Sequence, residues 1–220
     1  MAINVAEVVR LMLVTDDAVL GGRDLVALCA AAEAGGVTSV QLRLKATPPR
    51  ELVRLARALV AALRIPLIIN DRPDVAVASG AAGVHLGPDD LPPKLARLVL
   101  PPGAIVGTSV GSPAEALTAG DADYWGVGPW RATATKADAG AALGEDGFSA
   151  IVREAGTRPC IAIGGVRPED VAAVMRAGGA GVAVVSGILA ADDVEAAARR
   201  YLSAAGGSGR SPGGAPGRSV

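Results

Sequence analysis

The chain has 220 residues, half of them apolar, and a formal net charge of −1 at pH 7. That apolar content is sufficient for one large buried core and argues against a disordered main body. The near-zero charge, with only 2% aromatic residues, argues against a basic or base-stacking surface for nucleic acid.

From the N-terminus, MAINVAEVVR lacks the basic segment and apolar run of a signal peptide. No later apolar run approaches the ~18–20 residues of a membrane span, so a cytoplasmic protein with no membrane partner is expected. The rest of the chain alternates between two kinds of segment. Short apolar runs occupy Leu11–Asp16, Ser39–Lys45, Pro66–Asp71, Gly83–Gly87, Ala104–Val110, Asp123–Pro129, Pro159–Gly165 and Gly181–Gly187. Continuous runs of this kind predict strands buried on both faces, the mark of a parallel sheet. The segments between them are helical in pattern. Leu25–Ala34 and Glu51–Leu63 repeat apolar residues at helical spacing. Asp24, Thr47 and Ser112 are expected as N-caps, with Pro48 and Pro113 at first helical positions; Pro168 precedes a helix over Glu169–Ala177, and Gly35 and Gly178 are expected stops. Cys29 and Cys160 fall in apolar segments without metal-ligand spacing and read as buried free thiols.

Eight β/α units in one domain predict a closed TIM (β/α)8 barrel over residues 1–202. A doubly wound sheet is disfavoured because no G-x-G-x-x-G occurs after the first strand. The stretch 203–220, rich in Gly, Ser, Pro and Arg, predicts a disordered tail.

In such a barrel the chemistry lies at the C-terminal ends of the strands, and polar residues do collect there. The second run ends in Gln41, Arg43 and Lys45 at alternate positions. A strand's period of two puts these three side chains on one face. The third run ends in Asn70 and Asp71, with Arg72 next. The fourth carries His85, with Asp89 and Asp90 in the loop beyond. Carboxylates on adjacent strand ends suit Mg2+, an ion that keeps several waters and bridges substrate phosphates; Asp74 reads instead as a helix N-cap. The sixth run enters GPWRATATK, where Thr133, Thr135 and Lys136 offer hydroxyls, N–H groups and a cation to phosphate. The seventh ends in Gly164–Gly165 and the eighth in Ser186–Gly187, loops that commonly hold a phosphate in TIM barrels. His85, the single histidine, reads as a packed, hydrogen-bonded residue rather than a general base.

The segments Val14–Asp16, Val40–Lys45, Leu67–Arg72, Gly83–Leu91, Gly107–Ser109, Gly126–Lys136, Ala162–Val166 and Val184–Ile188, taken in order, resemble the thiamine phosphate synthase family over about residues 10–202. The resemblance implies an enzyme that joins a hydroxymethylpyrimidine diphosphate to a thiazole phosphate, releasing pyrophosphate. It implies that Asp71 and Asp90 hold Mg2+ on the diphosphate, which Arg43, Lys45 and Asn70 bind. Lys136 would assist departure, Gln41 would contact the pyrimidine, and Ser109 would sit beside the pyrimidine and the leaving group. Thr133, Thr135, Gly165, Val185 and Ser186 would take the thiazole phosphate. The implied catalytic set is Lys136, Arg43 and Ser109; the partners are small molecules, and a homo-oligomer is left open. Because the thiazole nitrogen attacks, no Ser-His-Asp or Cys-His arrangement is expected.

Three positions depart from the family pattern. Leu44 replaces an acidic residue but faces away from Arg43 by strand alternation. Pro88 stands where the family has Gln. The aromatic of the loop after the sixth strand is displaced, so that Trp130 precedes Arg131. Two other readings remain open. One is a thiazole tautomerase-like relative on the same barrel, which uses a His in the loop after strand six where this chain has Pro129. The other is a phosphate-ligand barrel of different or no catalytic activity.

Overall fold

In the computed structural model, which describes residues 3–132 and 140–206, eight parallel strands close into a barrel in chain order. They are β1 (Leu11–Val14), β2 (Ser39–Leu42), β3 (Leu67–Asn70), β4 (Gly83–Leu86), β5 (Ile105–Val110), β6 (Tyr124–Val127), β7 (Cys160–Ala162) and β8 (Gly181–Val184). Each lies inside one of the eight expected runs, and β8 pairs back onto β1. The helices are α1 (Val5–Val8), α2 (Asp17–Leu20), α3 (Leu25–Ala34), α4 (Pro49–Ala62), α5 (Pro73–Ser79), α6 (Pro93–Ala96), α7 (Pro113–Ala116), α8 (Gly144–Ala155), α9 (Val171–Arg176), α10 (Ser186–Leu189) and α11 (Val194–Gly206).

Strand alternation divides the apolar residues into two cores. Outward residues such as Leu11, Leu13, Val40, Leu42, Val84 and Val182 pack beneath the helices. Inward residues fill the lower barrel: Met12, Ile68, Ile105, Tyr124, Ile161 and Ala183, closed below by Val8 and Val9. Burying one such large aliphatic side chain stabilises the fold by roughly 1.5–3 kcal/mol. Cys29 and Cys160 are buried free thiols, both pushed up to about 12 by burial, so neither carries thiolate at neutral pH. Among the described residues no helix is long and apolar enough to cross a membrane.

Local signals set the helix starts, with some corrections. Asp24 caps α3 by accepting from Val26 N and Ala27 N at 3.0 and 3.1 Å, and Ser112 caps α7 by accepting from Glu115 N at 3.2 Å. Thr47 is not a cap. Pro48 holds the cap position and Pro49 takes the first helical one, while the Thr47 hydroxyl donates to Asp17 Oδ1 at 3.3 Å. Asp74 is not a cap either, because Pro73 starts α5 and leaves Asp74 inside the first turn, paired with Arg72. Pro168 opens a single 3-10 turn, Pro168–Asp170, before α9.

The expected tail boundary moves. Helix α11 continues through Gly206, with Leu202, Ala204 and Ala205 packed against the outer core. Alanines have high helix propensity and small burial, so a composition-based boundary at residue 203 stops short of the real helix end. The rest of the tail, 207–220, lies outside the described residues.

The barrel needs glycine where backbones approach. A Cβ on Gly83 would lie 2.0 Å from the Ile105 carbonyl oxygen, and a backbone cannot give way as a flexible side chain can. Gly83→Ala is therefore expected to cost about 1–3 kcal/mol. Gly120, with nothing within 4 Å of its Cβ position, serves as the control. Urea unfolding of both variants checks this: the Gly83 midpoint should fall and the Gly120 midpoint should hold.

Candidate active site

A cavity of about 550 Å³ opens at the C-terminal ends of the strands. Gln41, Arg43, Lys45, Asn70, Asp71, Asp90, Ser109, Gly165, Val185 and Ser186 all line it. The structure thus brings together every described residue that the sequence placed in the site. Thr133, Thr135 and Lys136 lie outside the described residues.

One wall comes from the end of β2 and the residues just beyond it. Gln41 and Arg43 point to the cavity, while Leu42 and Leu44 are buried in the outer core, as alternation requires. The Arg43 main chain is held by Thr15, whose Oγ1 accepts from Arg43 N at 2.8 Å and donates to Arg43 O at 3.3 Å. Its guanidinium is fixed by Asp16, with Nη1 2.6 Å from Oδ2. Asp16 also caps α2 through Ala18 N and Val19 N. One carboxylate therefore starts a helix and aims a cation. Sequence reasoning gave Asp16 no role, although it ends the Val14–Asp16 segment.

The next wall is acidic. Asp71 succeeds β3 with φ 62°, the only non-glycine residue with positive φ among the described residues. Asp is one of the few side chains that tolerate this conformation. Its amide donates to the His85 carbonyl at 2.8 Å, continuing the β3–β4 ladder past the strand. Burial pushes the Asp71 carboxyl up to about 6, helped by a hydrogen bond to Asp90 and by that group's charge; Lys45 and Asn70 offset part of this. Lys45 Nζ stands 3.7 Å from Asp71 Oδ2. Asp90 is fixed by the Gly87 amide, which donates to Oδ2 at 2.6 Å. A Cβ at Gly87 would lie 2.9 Å from that oxygen.

Two carboxylates in hydrogen-bonding contact ionise together only at a cost, and a divalent cation between them removes it. Among the described residues no group of three or more His, Cys, Asp or Glu side chains could form a closed metal cage. The acid pair instead fits an ion that draws its other ligands from water and phosphate, which is the habit of Mg2+.

The floor of the cavity holds His85, packed and hydrogen-bonded as expected. His85 is in contact with Ser109: Nε2 lies 3.1 Å from Oγ. Its other ring nitrogen, Nδ1, lies 2.9 Å from the Tyr124 hydroxyl. The sequence led to no expectation of a Ser–His contact. Pairing of β4 with β5 creates it, because the two strands are neighbours and both side chains point inward. Two glycines make room: a Cβ on Gly107 would strike the Tyr124 ring at 2.1 Å, and one on Gly126 would lie 3.0 Å from His85 Cε1.

Opposite the cations, β7 leads into Gly164 and Gly165, with φ 88° and 68°. The turn packs against Arg131, whose Cβ would lie 2.9 Å from a Cβ on Gly165. Arg131 forks onto the buried Asp170 carboxylate, with Nε 2.8 Å from Oδ2 and a second contact from Nη2 to Oδ1. Asp170 also accepts from the Arg167 amide at 2.9 Å. The Arg131 guanidinium holds the Asp170 carboxyl below the usual range, against a smaller opposing effect of burial. After β8, α10 begins at Ser186, and the first N–H groups of a helix have no partner within it. Trp130, the displaced aromatic, is buried edge-on to Phe148 at 5.6 Å between ring centroids.

Cations, a carboxylate pair and a glycine turn around the mouth of one eight-stranded barrel define a TIM-barrel enzyme of the phosphate-handling class. Residues 11–188 match the family described as Thiamine monophosphate synthase. A Thiamine-phosphate synthase from Azorhizobium caulinodans is 53% identical over 194 residues, covering 86% of this chain and 91% of that protein. One from Xanthobacter autotrophicus is 54% identical over 199 residues, covering 88% and 94%. The solved structure of thiamine phosphate pyrophosphorylase from Pyrococcus furiosus superposes with a TM-score of 0.83 at 33% identity, covering 92% of this chain and 98% of that one. The chain belongs to the thiamine monophosphate synthase family, a family of transferases in thiamine biosynthesis.

The acid pair gives a titration test. Asp71 is raised in the folded chain, so its contribution to stability is full below the ordinary carboxylate range and is lost as pH rises through about 6. Carboxyl-carbon NMR of the metal-free protein should show Asp71 titrating near pH 6. In Asp90→Asn, which removes the neighbouring charge, the midpoint should move down, while burial keeps it above the ordinary carboxylate value.

Proposed function

We propose that the chain joins a hydroxymethylpyrimidine diphosphate to a thiazole phosphate, giving thiamine phosphate and pyrophosphate. The observation that carries this reading is the grouping of Arg43, Lys45, Asn70, Asp71 and Asp90 on one side of a single cavity, across from Gly165 and Ser186. Two anionic ligands can then lie with their reacting ends between the two sides.

The reaction breaks the bond between the pyrimidine methylene carbon and the diphosphate oxygen. The leaving pyrophosphate keeps the electron pair, and the thiazole nitrogen forms the new bond to carbon. Negative charge therefore grows on the leaving group in the transition state, and fixed cations aimed at that point are what lower the barrier. Arg43 is such a cation, because Asp16 and Thr15 hold it before any ligand arrives. Lys45 and Asn70 flank the same position and bind the diphosphate. Mg2+, held by Asp71 and Asp90, would neutralise further charge on its oxygens. Gln41, buried at the inner end of the cavity, is assigned to the pyrimidine, and Ser109 to the point between ring and leaving group. The left-handed Gly164–Gly165 turn and the start of α10, with Val185 and Ser186, are assigned to the thiazole phosphate. Thr133, Thr135 and Lys136 complete the set on the family resemblance, with Lys136 assisting departure.

The test is direct. Mixing the two phosphorylated substrates with the protein and Mg2+ should release pyrophosphate, and omission of either substrate should abolish release. Asp71→Asn should raise the Mg2+ requirement and sharply lower turnover. Lys136→Ala should lower kcat by about 10²–10³ with a smaller change in KM, the pattern of a donor whose value is greatest in the transition state. Arg43→Ala should raise KM as well. Unchanged turnover in Asp71→Asn and Asp90→Asn at limiting Mg2+ would place the metal elsewhere.

A further inference from the structure

The Tyr124–His85–Ser109 chain runs from the closed interior of the barrel to the cavity. Tyr124 is fully buried in the apolar lower core. Its hydroxyl meets Nδ1 of His85 at 2.9 Å, Nε2 of His85 meets Ser109 Oγ at 3.1 Å, and Ser109 lines the cavity. Turning the imidazole ring over would put carbon where both nitrogens now stand, so the two contacts fix its orientation.

A neutral imidazole carries one N–H, and the two tautomers give Ser109 opposite chemistry. With the proton on Nδ1, that nitrogen donates to Tyr124. Nε2 then draws the Ser109 proton, as in a serine nucleophile. With the proton on Nε2, the imidazole donates to Ser109 Oγ, and the serine's own hydrogen is free to donate into the cavity.

Tyr124 decides between them. Among the described residues, its hydroxyl has one hydrogen-bond partner, His85 Nδ1. Were Nδ1 the donor, the phenol hydrogen would stay in a buried site without an acceptor, which is the costly outcome. Burial, reinforced by the Asp123 charge, also raises the Tyr124 phenol above its ordinary value, so its proton stays on oxygen.

We infer that Tyr124 and His85 are positioning residues that lock the Nε2–H tautomer, so that Ser109 acts as a fixed hydrogen-bond donor to the bound anionic ligand and not as a nucleophile. The assignment of that ligand rests on the proposed reaction; the tautomer does not. The geometry also gives the glycines of β5 and β6 a purpose. Gly107 and Gly126 leave the space in which the phenol and imidazole stand in line.

Because the chain contains one histidine, its ring nitrogens can be read without assignment by nitrogen-15 NMR of the full-length protein labelled at histidine. The expected spectrum has a protonated Nε2 and an unprotonated Nδ1. In Ser109→Ala that pattern should persist, because Tyr124 still sets it. In Tyr124→Phe the preference should collapse to a mixture or reverse. Tyr124→Phe should also lower kcat at least about fivefold, the scale of one net hydrogen bond, with KM changing less. Wild-type protein with the proton mainly on Nδ1, or Tyr124→Phe with an unchanged tautomer, would overturn the inference. If Tyr124→Phe does not fold, the wild-type and Ser109→Ala spectra still decide the matter. The spectra need no substrate. A locked Nε2–H tautomer in a protein that releases no pyrophosphate would refute the proposed reaction and leave the lock standing.

Discussion

A closed sheet of parallel strands allows each side chain only two directions, and in this chain that constraint decides which groups can meet. Residues of one parity go out beneath the helices; those of the other go in. On β2 this sends Leu42, with Leu44 beyond it, into the outer core and leaves Gln41 and Arg43 facing the cavity. On β4 and β5 it turns His85 and Ser109 inward at adjacent positions, and on β6 it stacks Tyr124 below them. A one-residue slip in any of these strands would exchange the two sets, placing polar groups under helices and aliphatic ones in the mouth. The apolar cost of such a slip is what holds the register, so the packing that stabilises the barrel also fixes the chemistry at its rim.

Charge at the mouth arises from the same geometry. Arg43 and Lys45 rise from β2, Asp71 from β3 and Asp90 from the loop after β4. The cations are not equivalent. Arg43 is three-quarters or more buried and bound to Asp16 at 2.6 Å, whereas Lys45 is 57% exposed and 3.7 Å from its partner. A preorganised guanidinium loses little entropy when a phosphate arrives, while an exposed ammonium on a long stem must be ordered by the ligand. In the proposed reaction this difference would suit Arg43 to fixed stabilisation and Lys45 to recruitment. The Asp71–Asp90 contact is the complement: an acid pair that resists full ionisation stores a demand for positive charge where the diphosphate is assigned.

Much of this was legible in the sequence, and the limits are instructive. Each strand was found because a buried parallel strand is a short apolar run bounded by turn residues, a local signal. Gln41, Arg43, Lys45, Asn70 and Asp71 were found because strand period and barrel polarity together point to strand ends. Asp16 was not, since its role depends on a contact across 27 positions with Arg43. The Ser109–His85 and His85–Tyr124 contacts span 24 and 39 positions and exist only once neighbouring strands pair. Local rules also failed where two signals competed. Adjacent prolines at 48 and 49 moved a cap by one residue, Pro73 displaced Asp74 from the cap position, and alanines carried α11 past the expected boundary.

Two of the three departures from the family pattern are absorbed by packing, whereas Pro88 stays exposed at the rim of the cavity. Leu44 adds to the outer core without touching the cavity. Trp130, the displaced aromatic, is buried against Phe148, and its place after β6 is held by main-chain bonds from Trp130 N to Ile163 O and from Arg131 N to Gly164 O. Those bonds tie the segment after β6 to the turn after β7. Arg131 then adds the fork to Asp170, which is itself fixed by the Arg167 amide. A buried carboxylate that lost this partner would remain as an uncompensated charge, so the Arg131–Asp170 pair is far more costly to break than an exposed ion pair. The displaced aromatic and the arginine after it therefore form one unit. Trp130 anchors the segment in apolar packing, and Arg131 holds it against the left-handed glycine turn that faces the cavity. The pair thus backs the Gly164–Gly165 turn, which lines the cavity and where only a bare backbone fits against Arg131.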